Sequence, residues 1–212
     1  MIKKHKVSLI ITSLFIFLPT VAGLIMWDEM PESFIIHWNA AGEPDGYCGK
    51  NFFIFGIPFI MLALQWLCVL CTVLDKKNKN QNPKLQEMVL WIIPCLQWII
   101  FGVSVLTAQG EKVKINVILL VFFGILFMLI GNYIPKCRQN HTMGIKVKWT
   151  LENEENWNAT HRMGGKVWFV CGFITLVCAF LPPEVSFTVF MAVMIVAVIA
   201  PVIYSYRFSR KN

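Results

Sequence analysis

Charge is what this sequence has least of. Only 15% of its 212 residues are Asp, Glu, Lys or Arg, 57% are hydrophobic, and the mean hydropathy is +0.61. An ordinary soluble domain is about one quarter charged, so a soluble globular protein is excluded at the outset. Six windows hold no charged residue: Val7–Trp27, Asn51–Leu74, Met88–Gly110, Ile115–Pro135, Val167–Pro183 and Val185–Tyr206. Roughly 17 to 25 apolar residues in a helix cross a hydrocarbon core about 30 Å thick, so each window is a candidate span, the fifth being the shortest. The expected fold is an all-α integral membrane protein with six transmembrane helices.

Histidine is missing from these windows as well, and that absence weighs on function. Coupled carriers place a carboxylate, imidazole or cation within the membrane to bind or relay charge. A small-molecule or ion transporter is therefore the weaker alternative, with unwound backbone carbonyls its remaining means of holding an ion. Gln65 and Gln97 are the strongest polar groups in the apolar runs and are expected to hydrogen-bond to neighbouring helices. Pro19, Pro58, Pro94 and Pro201 free helix carbonyls that neighbours must satisfy. A disulfide framework is also lacking: five of the seven cysteines fall in apolar runs, leaving Cys137 and Cys48 in polar segments. No nucleophile, phosphate loop or ligand triad accompanies His37 or His161, and Cys137, His141 and His161 lack zinc spacing. A membrane-embedded enzyme is thus an alternative without a site, and no catalysis, cofactor or metal is expected.

The charges that are present report topology. Of the 19 Lys and Arg, all but Lys50, Lys112 and Lys114 fall on one side of the predicted spans, beginning with Lys3, Lys4 and Lys6. The positive-inside rule makes that side cytoplasmic and puts both termini there. The formal charge of +7 then signals orientation and attraction to anionic membrane lipids, with no direct nucleic-acid contact, because the cations form separate membrane-edge clusters.

Two polar passages remain. The loop Asp28–Lys50 is extracellular in this topology. Pro31 breaks any helix, Phe34-Ile35-Ile36 is a short extended run, and Gly42-Glu43-Pro44-Asp45-Gly46 is dense in turn formers. A short hairpin-like cap is expected, with Trp27, Trp38 and Tyr47 at headgroup level. His37 and the nearby carboxylates read either as a hydrogen-bonded turn or as a metal or proton-sensing cluster. The segment Asp75–Gln86 reads as a plain hydrophilic connector.

The second passage, Gly131–Gly165, is cytoplasmic. Pro135 ends the fourth span, and Thr150 is placed to cap a short helix from about Leu151, with Glu152 and Glu154 in its first turn. Trp157 and His161, four apart, share a face. The expectation is an amphipathic helix in the membrane interface, released by Gly164-Gly165 into the fifth span.

The residues Asn132-x-x-Pro135-Lys136, Asn140, Gly144-Ile145, Trp149-Thr150-Leu151, Glu154 and Trp157-x-x-Thr160-His161-Arg162-x-x-Gly165 resemble the signature of the SdpI family of bacterial multispanning membrane proteins. The loop from Pro31 through His37-Trp38-Asn39, Gly42 and Asp45-Gly46 is similar to the small domain of unknown function that opens many members. The resemblance implies residence in the bacterial cell membrane and immunity against a secreted peptide toxin. It also implies retention of a cytoplasmic winged-helix repressor once toxin is sensed. The first motif then contains the partner-binding positions and the second the toxin- or ligand-facing ones. Residues 1–110 would form an N-terminal three-helix part with the extracellular loop, and residues 111–212 an SdpI-like three-helix part with the signature loop 131–165. Relatives often read Gly-Ile-Arg-Thr-Pro-Trp where this chain has Gly144-Ile145-Lys146-Val147-Lys148-Trp149. A lysine does not reproduce a bidentate guanidinium, and the missing proline removes a rigid turn.

Overall fold

A chain segment in lipid must satisfy its own backbone, and each apolar window is helical accordingly. The structure, a computed structural model, describes residue 2 and residues 4–211; Lys3, counted above among the N-terminal cations, lies outside the described residues. The helices are α1 (Lys6–Ile25), α2 (Ile57–Leu74), α3 (Pro83–Ala108), α4 (Ile115–Tyr133), the short α5 (Lys148–Glu152), α6 (Glu154–Cys178) and α7 (Pro183–Lys211). A π-helical turn, Phe52–Gly56, leads into α2. Between α1 and that turn stands an antiparallel hairpin, β1 (Ser33–Trp38) and β2 (Pro44–Gly49).

Among the described residues five helices are long and apolar enough to cross a membrane: Lys6–Ile25, Phe52–Leu74, Pro83–Ala108, Ile115–Lys136 and Pro183–Lys211. The remaining long helix, α6, carries Glu154, Glu155, Arg162 and Lys166 in its first half and is charge-free only from Val167 on. Large apolar side chains are exposed along the helices, among them Ile11, Leu14 and Leu18 of α1 and Ile195, Val198 and Ile199 of α7. Polar ones such as Thr12, Gln65, Ser104 and Ser205 are buried. This inversion of the usual surface is that of a multi-pass membrane protein.

The chain groups into two units, Met1–Val73 with Gln86–Ile115, and Leu74–Leu85 with Asn116–Asn212. In the first, Phe34 of β1 is fully buried and stacks on Phe53 at 4.1 Å, with Phe101 beyond, so the hairpin is anchored by an aromatic plug. Two prolines show how freed carbonyls are satisfied. Pro19 offers no N–H to Phe15 O, which accepts from Trp98 Nε1 at 3.0 Å instead; Pro58 offers none to Ile54 O, which accepts from Thr20 Oγ1 at 2.7 Å. Gln65 Nε2 donates to Thr12 Oγ1 at 2.7 Å, as expected of a helix-bridging amide. Gln97 is buried, and its carbonyl oxygen has no partner among the described residues.

In the second unit, α4 and α6 touch backbone to backbone. A Cβ on Gly131 would stand 2.5 Å from Phe169 N and 2.7 Å from Gly165 O, and one on Gly172 would stand 2.6 Å from Gly124 O. Each helix thus supplies two glycines one heptad apart, the small-residue packing that brings membrane helices together where no hydrophobic drive exists. Here the sequence reading needs correction. Gly164-Gly165 does not separate an interfacial helix from a span: α6 runs unbroken from Glu154 to Cys178. The two glycines are tight packing positions, Gly164 against Ile145 and Gly165 against Pro135. Close contact offsets the helix-weakening tendency of glycine, about 1 kcal/mol each.

Candidate functional site

In the hairpin, alternation decides which groups are free. Phe34 points into the core, whereas His37 is 70% and Asp45 44% exposed. His37 Nδ1 donates to Asp45 Oδ1 at 2.5 Å. The turn is shaped by Asn39, whose Oδ1 accepts from the amides of Ala41 and Glu43 at 3.0 Å each, and by Gly42 at φ +82°. Gly46 lies under His37, where a Cβ would stand 2.7 Å from the histidine Cβ. Lys50 is spoken for: its Nζ donates to Met30 O at 3.2 Å and sits 4.5 Å from the Trp27 ring centroid. His37 thus stands in a hydrogen-bonded turn. No group of three or more metal-ligating side chains exists among the described residues.

The signature segment is built inward. Pro135 sits in a 3₁₀ turn, Ile134–Lys136, that ends the α4 run. From there the chain loops to α5 around Asn140, which is fully buried. Its Nδ2 donates to Arg138 O (2.8 Å) and Met143 O (2.9 Å), and its Oδ1 accepts from the amides of Thr142 (2.8 Å) and Met143 (2.6 Å). Such an amide has all four bonds made and acts as the knot of the loop. Thr150 Oγ1 bridges Ile145 O (2.8 Å) and Val147 O (2.9 Å) and accepts from Val147 N (3.1 Å). Thr150 thus belongs to α5, and the cap of α6 is Asn153, which accepts from Asn156 N at 2.9 Å.

The aromatic face of α6 is the second correction. Trp157 and His161 have no exposed surface; their rings stack on each other with centroids 4.0 Å apart and are covered by the chain's own loop, not by lipid headgroups. Trp157 Nε1 donates to Cys137 O at 2.7 Å. His161 Nδ1 donates to Trp157 O at 2.8 Å, and its Nε2 accepts from Ile145 N at 3.0 Å. That pattern sets a neutral imidazole with the proton on Nδ1. Burial pushes the His161 pKa down to about 4, partly opposed by the Trp157 carbonyl. Gly144, at φ +108°, passes so close over the histidine ring that no side chain fits. One turn back, Asn156 Oδ1 accepts from Thr160 Oγ1 (2.9 Å) and Ser205 Oγ (2.8 Å), while its Nδ2 donates to Ser205 O (3.0 Å), tying α6 to α7. Trp149 packs on Tyr206 with ring centroids 5.1 Å apart.

Several participants escaped the sequence reading. Asp75, in the supposed plain connector, accepts from His141 N (2.7 Å) and Thr142 Oγ1 (3.0 Å). Burial alone would raise its pKa, but these donors, the Lys77 amide and the nearby His141 outweigh it and hold the carboxyl below its usual value. Gln81 exchanges hydrogen bonds with both backbone groups of Arg138. Cys137, its thiol pushed up to about 11 by burial, and Asn156 and Ser205 complete the network. An Asp just after an apolar run is the only clue the sequence offers to any of them.

The remaining signature positions face outward. Asn132, Lys136, Glu154 and Arg162 are exposed, and Asn132, Pro135, Arg162 and Gly165 line an open cleft of about 750 Å³ together with Lys166 and Tyr204.

The model of the SdpI/YfhL protein family matches residues 136–205, and that of a domain of unknown function, DUF1648, matches residues 14–62. Immunity protein SdpI of Bacillus subtilis (strain 168) is 28% identical over 209 residues, covering 99% of this chain and 97% of that protein. No solved structure matches.

Proposed function

We propose that this chain, which matches the SdpI/YfhL protein family over residues 136–205, is a non-catalytic membrane immunity protein of that family giving resistance to a secreted antimicrobial peptide toxin. The observation that carries this reading is the near full-length similarity to an immunity protein, spanning both the hairpin and the signature segment. In this reading α6 supplies the sixth span, both termini are cytoplasmic, and the hairpin faces outside.

The hairpin is the toxin-facing element. Pro31, Gly42 and Gly46 shape it, while His37, Trp38, Asn39 and Asp45 present rings, an amide and a carboxylate to a peptide, with Phe34 holding them in register. The signature segment faces the cytoplasm, and its labour is divided. Asn140, Gly144, Ile145, Thr150, Trp157, Thr160, His161 and Gly165 build a rigid platform, and Asn132, Lys136, Glu154 and Arg162 with half-buried Trp149 are what a cytoplasmic partner meets. A winged-helix repressor is the partner of this reading. The exposed Lys146 and Lys148 stand where relatives carry arginine and proline, so contact here rests on point charges in place of a bidentate fork.

Expression in a toxin-sensitive strain tests the proposal. Survival should rise with the protein present and return to the vector level with a His37→Ala/Asp45→Ala double variant that still reaches the membrane. Survival curves matching the empty vector, with the wild-type chain membrane-inserted, would refute immunity. A labelled repressor that stays soluble in toxin-treated cells would remove the tethering half alone.

A further inference from the structure

The cleft beside Gly131 and Gly165 adds Lys166, which the immunity reading does not use, to Asn132 and Arg162, which that reading leaves open to the cytoplasm. Gly131 and Gly165, whose close packing brings α4 and α6 together, line it. Arg162 and Lys166 stand on its rim, four residues apart on one face of α6, and both are exposed. Among the described residues neither has a carboxylate within 4 Å, and no acidic side chain lines the cleft. Like charges four apart on one helix face repel each other, and an anion between them offsets that repulsion. Asn132 adds an amide donor.

Position decides which anion. The cleft lies where three charge-free runs stop together: Asn132 and Pro135 close the run of α4, Lys166 immediately precedes that of α6, and Tyr204 is near the end of that of α7. On the apolar side it continues along Phe169 and Val170, which are 44% and 55% exposed. Cations and an amide above, exposed hydrocarbon below and a boundary between them match a molecule with a phosphate head and acyl tails. We infer that this cleft is a binding site for one anionic phospholipid, its phosphate between Arg162 and Lys166 with Asn132 as a further donor, and its acyl chains against Phe169 and Val170. The bound lipid seals the α4–α6 contact on its open side and ties the signature segment to the surface of the membrane.

Native mass spectrometry of the full chain in detergent, titrated with phosphatidylglycerol or with phosphatidylcholine of the same acyl chains, tests this. Phosphatidylglycerol should saturate at one tightly held molecule per chain and phosphatidylcholine should not. Arg162→Gln/Lys166→Gln should weaken that binding by about ten- to thirtyfold, Arg162→Lys/Lys166→Arg should restore most of it, and Lys76→Gln/Lys84→Gln, an equal loss of charge, should leave it unchanged. Equal retention of the two lipids, or equal losses in the two Gln double variants, would overturn the inference. Displacement of the lipid by millimolar inorganic phosphate would also overturn it, since the site would then belong to a free anion. Failure here leaves the survival assay unaffected, because that assay reads the hairpin.

Discussion

His37 and His161 both belong to family-like motifs, and they do different physical work. His37 is mostly in water and shares one hydrogen bond with a half-exposed carboxylate. Water can replace that bond at little cost, so the pair contributes little to stability and is free to meet a ligand. His161 has no exposed surface, both ring nitrogens are engaged by backbone, and its neutral form is the one that fits. Removing it takes away the acceptor of the Ile145 amide. A motif residue is thus a contact or a fastening according to whether its partners lie in solvent or in the chain.

The contrast breaks first at Trp157. Trp157→Ala removes a fully buried ring and leaves Cys137 O unpaired, an expected loss of about 3–5 kcal/mol. Thermal unfolding in detergent should show collapse of the signature segment, and Trp157→Phe should fall between that variant and wild type. A Trp157→Ala protein as stable as wild type would mean that the segment is not built around this ring.

Acid tests the fastening by another route. With its pKa at about 4 against an ordinary value near 6.5, His161 gives stability that is full above pH 6.5 and is lost as pH falls toward 4. The sign follows because the unfolded chain binds the proton first. The loss should reach on the order of 3 kcal/mol, and His161→Gln should flatten the profile across that window. Asp75, whose carboxyl is held below its usual value, acts in the same direction but only below about pH 4. A wild-type profile level between pH 6.5 and 4 would contradict the buried neutral imidazole.

Widening the α4–α6 contact should cost less. Gly131→Val places carbon on Phe169 N and Gly165 O, an overpacking of about 1–3 kcal/mol relieved by a slight parting of the helices. A cysteine pair introduced across the two helices, crosslinking more slowly in that variant, would register it. Smallest of all is the hairpin: His37→Ala should shift stability by less than about 1 kcal/mol, yet lower toxin survival. Comparable effects on both would make His37 another fastening and erase the distinction.

The spans and the hairpin were legible because their signals are local. Uncharged runs of fixed length announce helices in lipid, and Phe34-Ile35-Ile36 followed by Gly42 and Gly46 announces an extended strand and its turn. The amphipathic pattern of Trp157 and His161 was also visible, but it pointed to the wrong surface. Periodicity shows that a face is apolar and not what covers it; here the cover is the chain's own Cys137–Ile145 loop. The connector was misread for a related reason, since Asp75 and Gln81 look solvated until the loop 138–142 is laid beside them. Gly164-Gly165 reads as the release of an interfacial helix into a span because glycine weakens an isolated helix, whereas neighbours at Ile145 and Pro135 turn the same residues into packing sites.

What the sequence determined alone is the partition of its charges, because the cost of burying charge in hydrocarbon does not depend on which helix neighbours which. It thereby set the membrane class, the candidate spans and the two polar passages. Only the tertiary structure decided which polar groups are locked and which are free. That choice rests on hydrogen bonds between residues far apart in the chain, such as Asn156 with Ser205 and Asp75 with Thr142, which no local pattern encodes.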